Sequence, residues 1–231
     1  MHRLYPLLAA ALFIGPAMTW AQTPLPTKTN PKVSADEVSF YAVPLACPAA
    51  HNLGCGSAAK PVLLALEKKN IVQEAWLDHA GTTLAIVWKK GATGDARAAE
   101  IRYIADDRGI SLHELTGVHR DESLKSFAAR TGWYRGAEVD RLSEEEAAVI
   151  ADRLILRAAR QAPTIADKSG PLRTAVANVI REQLTDCTTT QCREDCRKKI
   201  VDIAHKSLND QEVNALMEAE KQGYRSIGNE R

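Results

Sequence analysis

Residues 38–115 alternate between stretches built for strands and stretches built for helices, and this alternation constrains the fold more than any other feature of the chain. Residues 38–46 carry Phe40 and Tyr41, which favour an extended backbone, and Pro44 marks a strand end or an edge. Residues 58–69 place Val62, Leu63 and Leu66 at helical spacing, with Ser57 as the expected N-cap and Pro61 in the first turn. Residues 72–77 and 82–88 are rich in β-formers and flank Asp78-His79-Ala80-Gly81, a tight-turn composition, so they predict a hairpin. A second helix is expected over 96–108, capped by Asp95 and stopped by Gly109, with Ile101, Ile104 and Ala105 on one stripe. Residues 110–115 supply a last strand. The order is β-α-β-β-α-β. It predicts an α+β chain with a ferredoxin-like sandwich, one antiparallel sheet carrying both helices on one face.

The texture changes from Asp121 onward, where no β-rich run is evident. Ser143-Glu144-Glu145-Glu146 has the form of a capping box opening a helix to about residue 160. Val149, Ile150, Leu154 and Leu156 are expected on its apolar face. Pro163 and Gly170 break that helix, and three more are expected over 171–184, 191–207 and about 210–222. The expected organisation is a ferredoxin-like domain at 37–118 followed by an α-helical domain at 119–231.

Residues 1–21 read as a secretory signal peptide. His2 and Arg3 form a short n-region, residues 7–14 an apolar h-region, and Thr19-Trp20-Ala21 a cleavage site. The apolar run is shorter than the roughly 20 residues a membrane span needs. Residues 22–36 are Pro/Thr-rich and polar, the composition of a disordered linker. The expected mature protein is therefore periplasmic or secreted, without a membrane span. A formal net charge of +1, which falls to zero once Arg3 leaves with the leader, offers no electrostatic case for nucleic acid.

Export gives the five cysteines an oxidising setting, and an odd count leaves at least one thiol free, metal-bound or paired between chains. Cys55 lies in Leu53-Gly54-Cys55-Gly56-Ser57-Ala58-Ala59-Lys60-Pro61, where a strand gives way to a helix. A thiol at a helix N-terminus meets the positive end of the dipole and unpaired N–H groups, which favour the thiolate. Cys47 and His51 share the preceding loop. These residues admit a Cys47–Cys55 disulfide, a metal site, a redox-active thiol or an inert one. Taken singly, His51 reads as a solvated loop histidine and His79 and His113 as structural.

The β-α-β-β-α-β order with a thiol in the turn before the first helix resembles the heavy-metal-associated domain, over about residues 38–117. The family's Gly-Met-Thr-Cys-x-x-Cys-like run maps onto Leu53-Gly54-Cys55-Gly56-Ser57-Ala58. Its first ligand corresponds to Cys55 and its second to Ala58, which cannot bind metal. The resemblance implies a soft-metal site at Cys55; the loop itself is long enough to bring back Cys47 as a substitute second ligand and offers His51 as a third. Thiolates suit copper(I), zinc or mercury, and imidazole suits zinc or copper.

Cys187, Cys192 and Cys196 form a second constellation. Cys192 and Cys196 share a helix face, where a direct bridge is strained, so Cys187 is better placed to pair back with Cys192, or with another helix. The spacing matches no paired-knuckle zinc finger. A disulfide, a three-thiol metal site and free thiols all remain open, and His205 is poorly phased as a fourth ligand. No phosphate-binding glycine loop, nucleophile elbow or His-Glu-x-x-His run is present. The acidic run opening the helix at 143 reads as structural, and Trp76, Trp88 and Trp133 as core or interface anchors. The expectation is a non-enzymatic, exported soft-metal-binding or metal-sensing protein, its helical module serving a protein partner or self-association. The alternative is an interaction module with structural disulfides, and thiol oxidoreductase is the nearest enzymatic reading.

Overall fold

A computed structural model describes residues 34–187 and 189–227. The leader expected over 1–21, and all but the last three residues of the linker expected over 22–36, lie outside the described residues. The described elements are strands β1 (Val38–Ala42), β2 (Val72–Asp78), β3 (Thr83–Trp88), β4 (His113–Glu114) and β5 (Trp133–Arg135). The helices are α1 (Gly56–Glu67), α2 (Gly94–Arg108), α3 (Gly117–Ala128), α4 (Asp140–Gln161), α5 (Ser169–Asp186), α6 (Thr190–His205) and α7 (Asp210–Lys221). The chain is therefore of the α+β class. None of the described helices is long and apolar enough to cross a membrane.

The strands form one sheet in the order β4-β1-β3-β2-β5, and every neighbouring pair is antiparallel. Pro44 ends β1 because it has no amide to donate, yet the chain stays beside its neighbour: the Val43 and Leu45 amides donate to Thr82 and Gly81 carbonyls. The hairpin between β2 and β3 closes as its composition predicts. Asp78 Oδ1 accepts from the Thr82 and Thr83 amides at 2.8 Å each, and Gly81 sits at φ +71.

Both faces of the sheet are covered. Tyr41, Leu77, Leu84, Ile86 and Trp88 enter a large core that continues through α1, α2 and the helices after residue 140. Val38, Phe40, Ala85 and Val87 point the other way, against Phe127 of α3 and Trp133 of β5. The Phe127 and Trp133 rings meet edge to face at 5.0 Å between centroids. This second layer corrects the expectation that no strand follows residue 121. Trp133 pairs with Asp78 and extends the sheet beyond β2.

Boundaries shift where caps compete. Cys55, not Ser57, is the N-cap of α1, and Thr93, not Asp95, caps α2. Helix α4 starts at Asp140, so Ser143 and Glu146 lie inside it and make no capping box. Ile150 and Leu154 face the core as expected, whereas Val149 and Leu156 are exposed. The expected last strand at 110–115 contracts to two exposed residues at the β1 edge.

Helix α7 is capped by Asn209, whose side chain accepts from the Glu212 amide at 3.0 Å, while Glu212 Oε2 accepts from the Asn209 amide at 2.9 Å. Lys168 and Thr164 donate to the same carboxylate at 2.7 and 2.6 Å, and together these contacts hold Glu212 down to about 2 from 4.5. A carboxyl depressed by folding stabilises above its unfolded pKa, and that stability is lost as pH falls through the folded value. Glu212→Gln should thus lower stability fully at pH 7, and its difference from wild type should shrink between about 4.5 and 2. Denaturant melts at stepped pH check this; a gap constant down to pH 2 would refute it.

Candidate functional site

The loop between β1 and α1 holds the first thiol pair. Ala46 and Gly54 form an isolated bridge, and the Cys47 amide donates to the Leu53 carbonyl at 2.6 Å, so residues 46–54 make a small closed lobe. Leu45, Cys47, Ala49, Ala50 and Leu53 are buried, which turns the lobe inward. Asn52 takes φ +59 at its tip, a conformation asparagine tolerates, and His51 is exposed beside it. Cys55 then begins α1, half-buried, with its amide on the Leu45 carbonyl and its sulfur 3.3 Å from Ser57 Oγ.

Glycines set this geometry by close approach. A Cβ on Gly56 would strike Ser143 Oγ and lie 2.7 Å from the Val139 carbonyl, so α1 starts directly against the first turns of α4. Lys60 Nζ bonds Asp140 Oδ2 at 2.6 Å across the same junction.

Helix α4 brings the group that sequence reasoning set aside. Ser143, Glu146, Ile150, Arg153 and Arg157 recur at spacings of three and four, so they share one stripe, and all five are buried. Apolar residues should occupy a core stripe; here four of five are polar or charged. That pattern is legible in the sequence and was the available signal for Glu146. The thiols of Cys47 and Cys55 both lie beside the Glu146 carboxyl, and burial pushes that carboxyl above its ordinary range. Burial first, and then the neighbouring Glu146, push the Cys47 thiol up to about 12. Cys47 is therefore a neutral thiol at neutral pH, with its sulfur accepting from the Ala49 amide at 3.2 Å. Cys47 and Cys55 are both free, so no disulfide closes the lobe.

The second constellation lies where α5 passes into α6. Cys187 ends α5, Thr189 caps α6 by accepting from the Cys192 amide at 3.2 Å, and Cys192 falls in the first turn. Cys187 and Cys192 form a disulfide, the pairing favoured by their spacing. Cys196, one turn on and buried, lies with its sulfur 3.6 Å from that of Cys187. Burial raises the Cys196 thiol, although Lys199 pulls the other way. The three sulfurs all lie within 4.8 Å of one another, and among the described residues this is the one group of three such side chains close enough to hold a metal ion together. His205 is turned towards Asp210 at 4.0 Å. A cavity of about 380 Å³ opens beside this cluster, lined by Gln183, Arg193, Arg197 and Tyr224 among others.

Compared with known proteins, the chain matches no family model, no curated protein and no solved structure.

Proposed function

We propose that this chain is an exported, non-enzymatic soft-metal-binding protein that holds its ion through cysteine thiolates. The observation that carries the reading is the convergence of Cys187, Cys192 and Cys196, with all three sulfurs within 4.8 Å of one another. Three thiolates at that spacing suit copper(I), zinc or mercury. The donors are available together only when the Cys187–Cys192 bridge is reduced, so the site is gated by redox state. The sheet order β4-β1-β3-β2, with β5 at the free edge of β2, supports reading this part of the chain as a ferredoxin-like sandwich. That sheet order supports the likeness to heavy-metal-associated domains, on which reading Cys55 would stand in the metal loop. The helical half is then the surface for a protein partner or a second copy.

The test is metal uptake by the full chain. Reduced protein should bind about one equivalent of Cu(I), Zn(II) or Hg(II) at the three-sulfur cluster. Cys196→Ser should weaken that binding at least tenfold, in line with loss of one ligand of three. Equal uptake by Cys187→Ser, Cys192→Ser and wild type would sink the reading. The disulfide itself favours a second reading, an interaction module whose thiols are structural. A Cys187–Cys192 bridge that persists in protein taken directly from cells, resists mild reductants and coexists with no bound metal would establish that alternative.

A further inference from the structure

We propose that Cys187, Cys192 and Cys196 are a thiol–disulfide exchange centre, in which the bridge passes from Cys187–Cys192 to Cys187–Cys196 and frees Cys192 to capture a small external disulfide. The inference concerns the oxidised chain, where no ion can be held by three thiolates, so it does not rest on the metal reading.

The position of the third sulfur carries the argument. Free Cys196 has its Sγ 3.6 Å from that of Cys187, in van der Waals contact with one half of a formed disulfide. Exchange proceeds by attack of a thiolate on a disulfide sulfur, and here the attacking atom already stands beside its target. Cys192 and Cys196 lie one turn apart on α6 and share a face, so Cys187, the C-cap of α5, meets both. The two bridges are not equivalent. Cys196 is 3% exposed and begins a buried stripe that continues through Ile200 and Ala204. Cys192 is half-buried in the first turn of α6, its amide held by the Thr189 cap. Charge on a sulfur there meets the positive end of the helix dipole, with Arg193 next in the chain. The shift therefore moves the bridge into the core and leaves the free sulfur at a helix mouth, where a thiolate is favoured.

In the first step Cys196 gives its proton to water and its thiolate attacks the Cys187 sulfur. The Cys187–Cys196 bond forms, the Cys187–Cys192 bond breaks, and the electron pair of the broken bond leaves on Cys192. The oxidation state of the chain is unchanged, so this step consumes no oxidant. In the second step the Cys192 thiolate attacks one sulfur of a small disulfide. A mixed disulfide forms on Cys192, the sulfur–sulfur bond of the small molecule breaks, and its other half leaves as a thiolate that takes a proton from water. While the bridge stays between Cys187 and Cys192, the chain offers no free sulfur at the start of α6, and Cys196 alone is shielded by its burial.

The experiment uses the full chain, oxidised, with a chelator and without reductant. Cleavage after Arg181, Arg193 and Arg197 leaves Cys187 and Cys192 on one peptide and Cys196 on another, so only the shifted bridge joins Cys187 across two peptides. Samples are quenched in acid with a maleimide and mapped by mass. The expected result is a Cys187–Cys196 cross-link with maleimide on Cys192, growing as maleimide on Cys196 falls. With oxidised glutathione as the probe, the adduct should form on Cys192 at least tenfold faster in wild type than in Cys196→Ala, which keeps a small apolar side chain and removes the attacking sulfur. Cys192→Ala, oxidised under the conditions that form the wild-type bridge, should close Cys187–Cys196. Absence of the cross-link from wild-type protein overturns the proposal, as do equal glutathione rates at Cys192 in wild type and Cys196→Ala. Open thiols at Cys187 and Cys196 in oxidised Cys192→Ala overturn it as well. The metal reading is tested separately on reduced protein, and neither result decides the other.

Discussion

Replacing Gly81 by alanine should cost the protein about 3 kcal/mol or more and loosen the thiol lobe, although residue 81 is no ligand. The reason is geometric. Gly81 sits at φ +71, where any L side chain is strained. A Cβ there would strike the Leu45 carbonyl oxygen and stand 2.5 Å from Gly54 Cα, and both obstacles are backbone. No rotamer change relieves such contacts, so the hairpin must back away from residues 45 and 54. Those residues hold Cys55: its amide donates to Leu45 O at 2.8 Å, and Gly54 N donates to His79 O at 2.7 Å. Urea denaturation reads the loss of stability, and the alkylation rate of Cys47 should rise by at least tenfold with it. Gly91→Ala is the control. It also has positive φ, at +88, but a Cβ there meets nothing within 4 Å, so it should show the backbone penalty without the displacement. Equal stability losses in the two variants would refute the packing argument.

The contrast between these glycines shows what one sequence can and cannot display. The hairpin was legible at Asp78–Gly81 because local turn chemistry determines it. The contact of Gly81 on Gly54 joins two loops far apart along the chain, and nothing local encodes it. Strand β3 behaved similarly. Leu84, Ala85, Ile86, Val87 and Trp88 run apolar without alternation, the mark of a strand covered on both faces. That run was the available signal for a second layer, which the expectation of both helices on one face passed over, and α3, with its one buried residue Phe127, and three-residue β5 carry too weak a pattern to be named as that layer. The first candidate site was half legible. Cys55 at a helix mouth follows from local reading, and Cys47 from proximity along the chain. Glu146 comes from a helix that begins 85 residues after Cys55, and its acidic neighbours Glu144 and Glu145 disguise it as part of a solvated helix start. Only the periodicity of Ser143, Glu146, Arg153 and Arg157 with Ile150 separates the buried stripe from that run.

The same stripe yields the second large effect. Arg153→Met should destabilise the protein by about 3 kcal/mol, although methionine fills much of the apolar volume. Arg153 is buried, and its Nη1 donates to the Ala49 and Tyr224 carbonyls at 2.5 Å each. Methionine has no donor, so both carbonyls lose a charge-assisted bond in a place water reaches poorly. The two acceptors belong to different regions. Ala49 is in the lobe that carries Cys47, and Tyr224 lines the cavity beside the Cys187–Cys192 bridge, where its hydroxyl reaches Gln183 at 3.4 Å. One guanidinium therefore ties the first thiol pair to the surroundings of the second. Arg153→Lys keeps the charge but lacks the planar fork, so it should recover only part of the loss. Denaturant melts give the stability change, and alkylation of Cys47 gives the local one. Arg153→Met should speed Cys47 alkylation, whereas Lys168→Met, which removes a cation from Glu212 at the start of α7, should lower stability without that acceleration. If both variants expose Cys47 alike, the link reflects global unfolding and not a tether through Arg153.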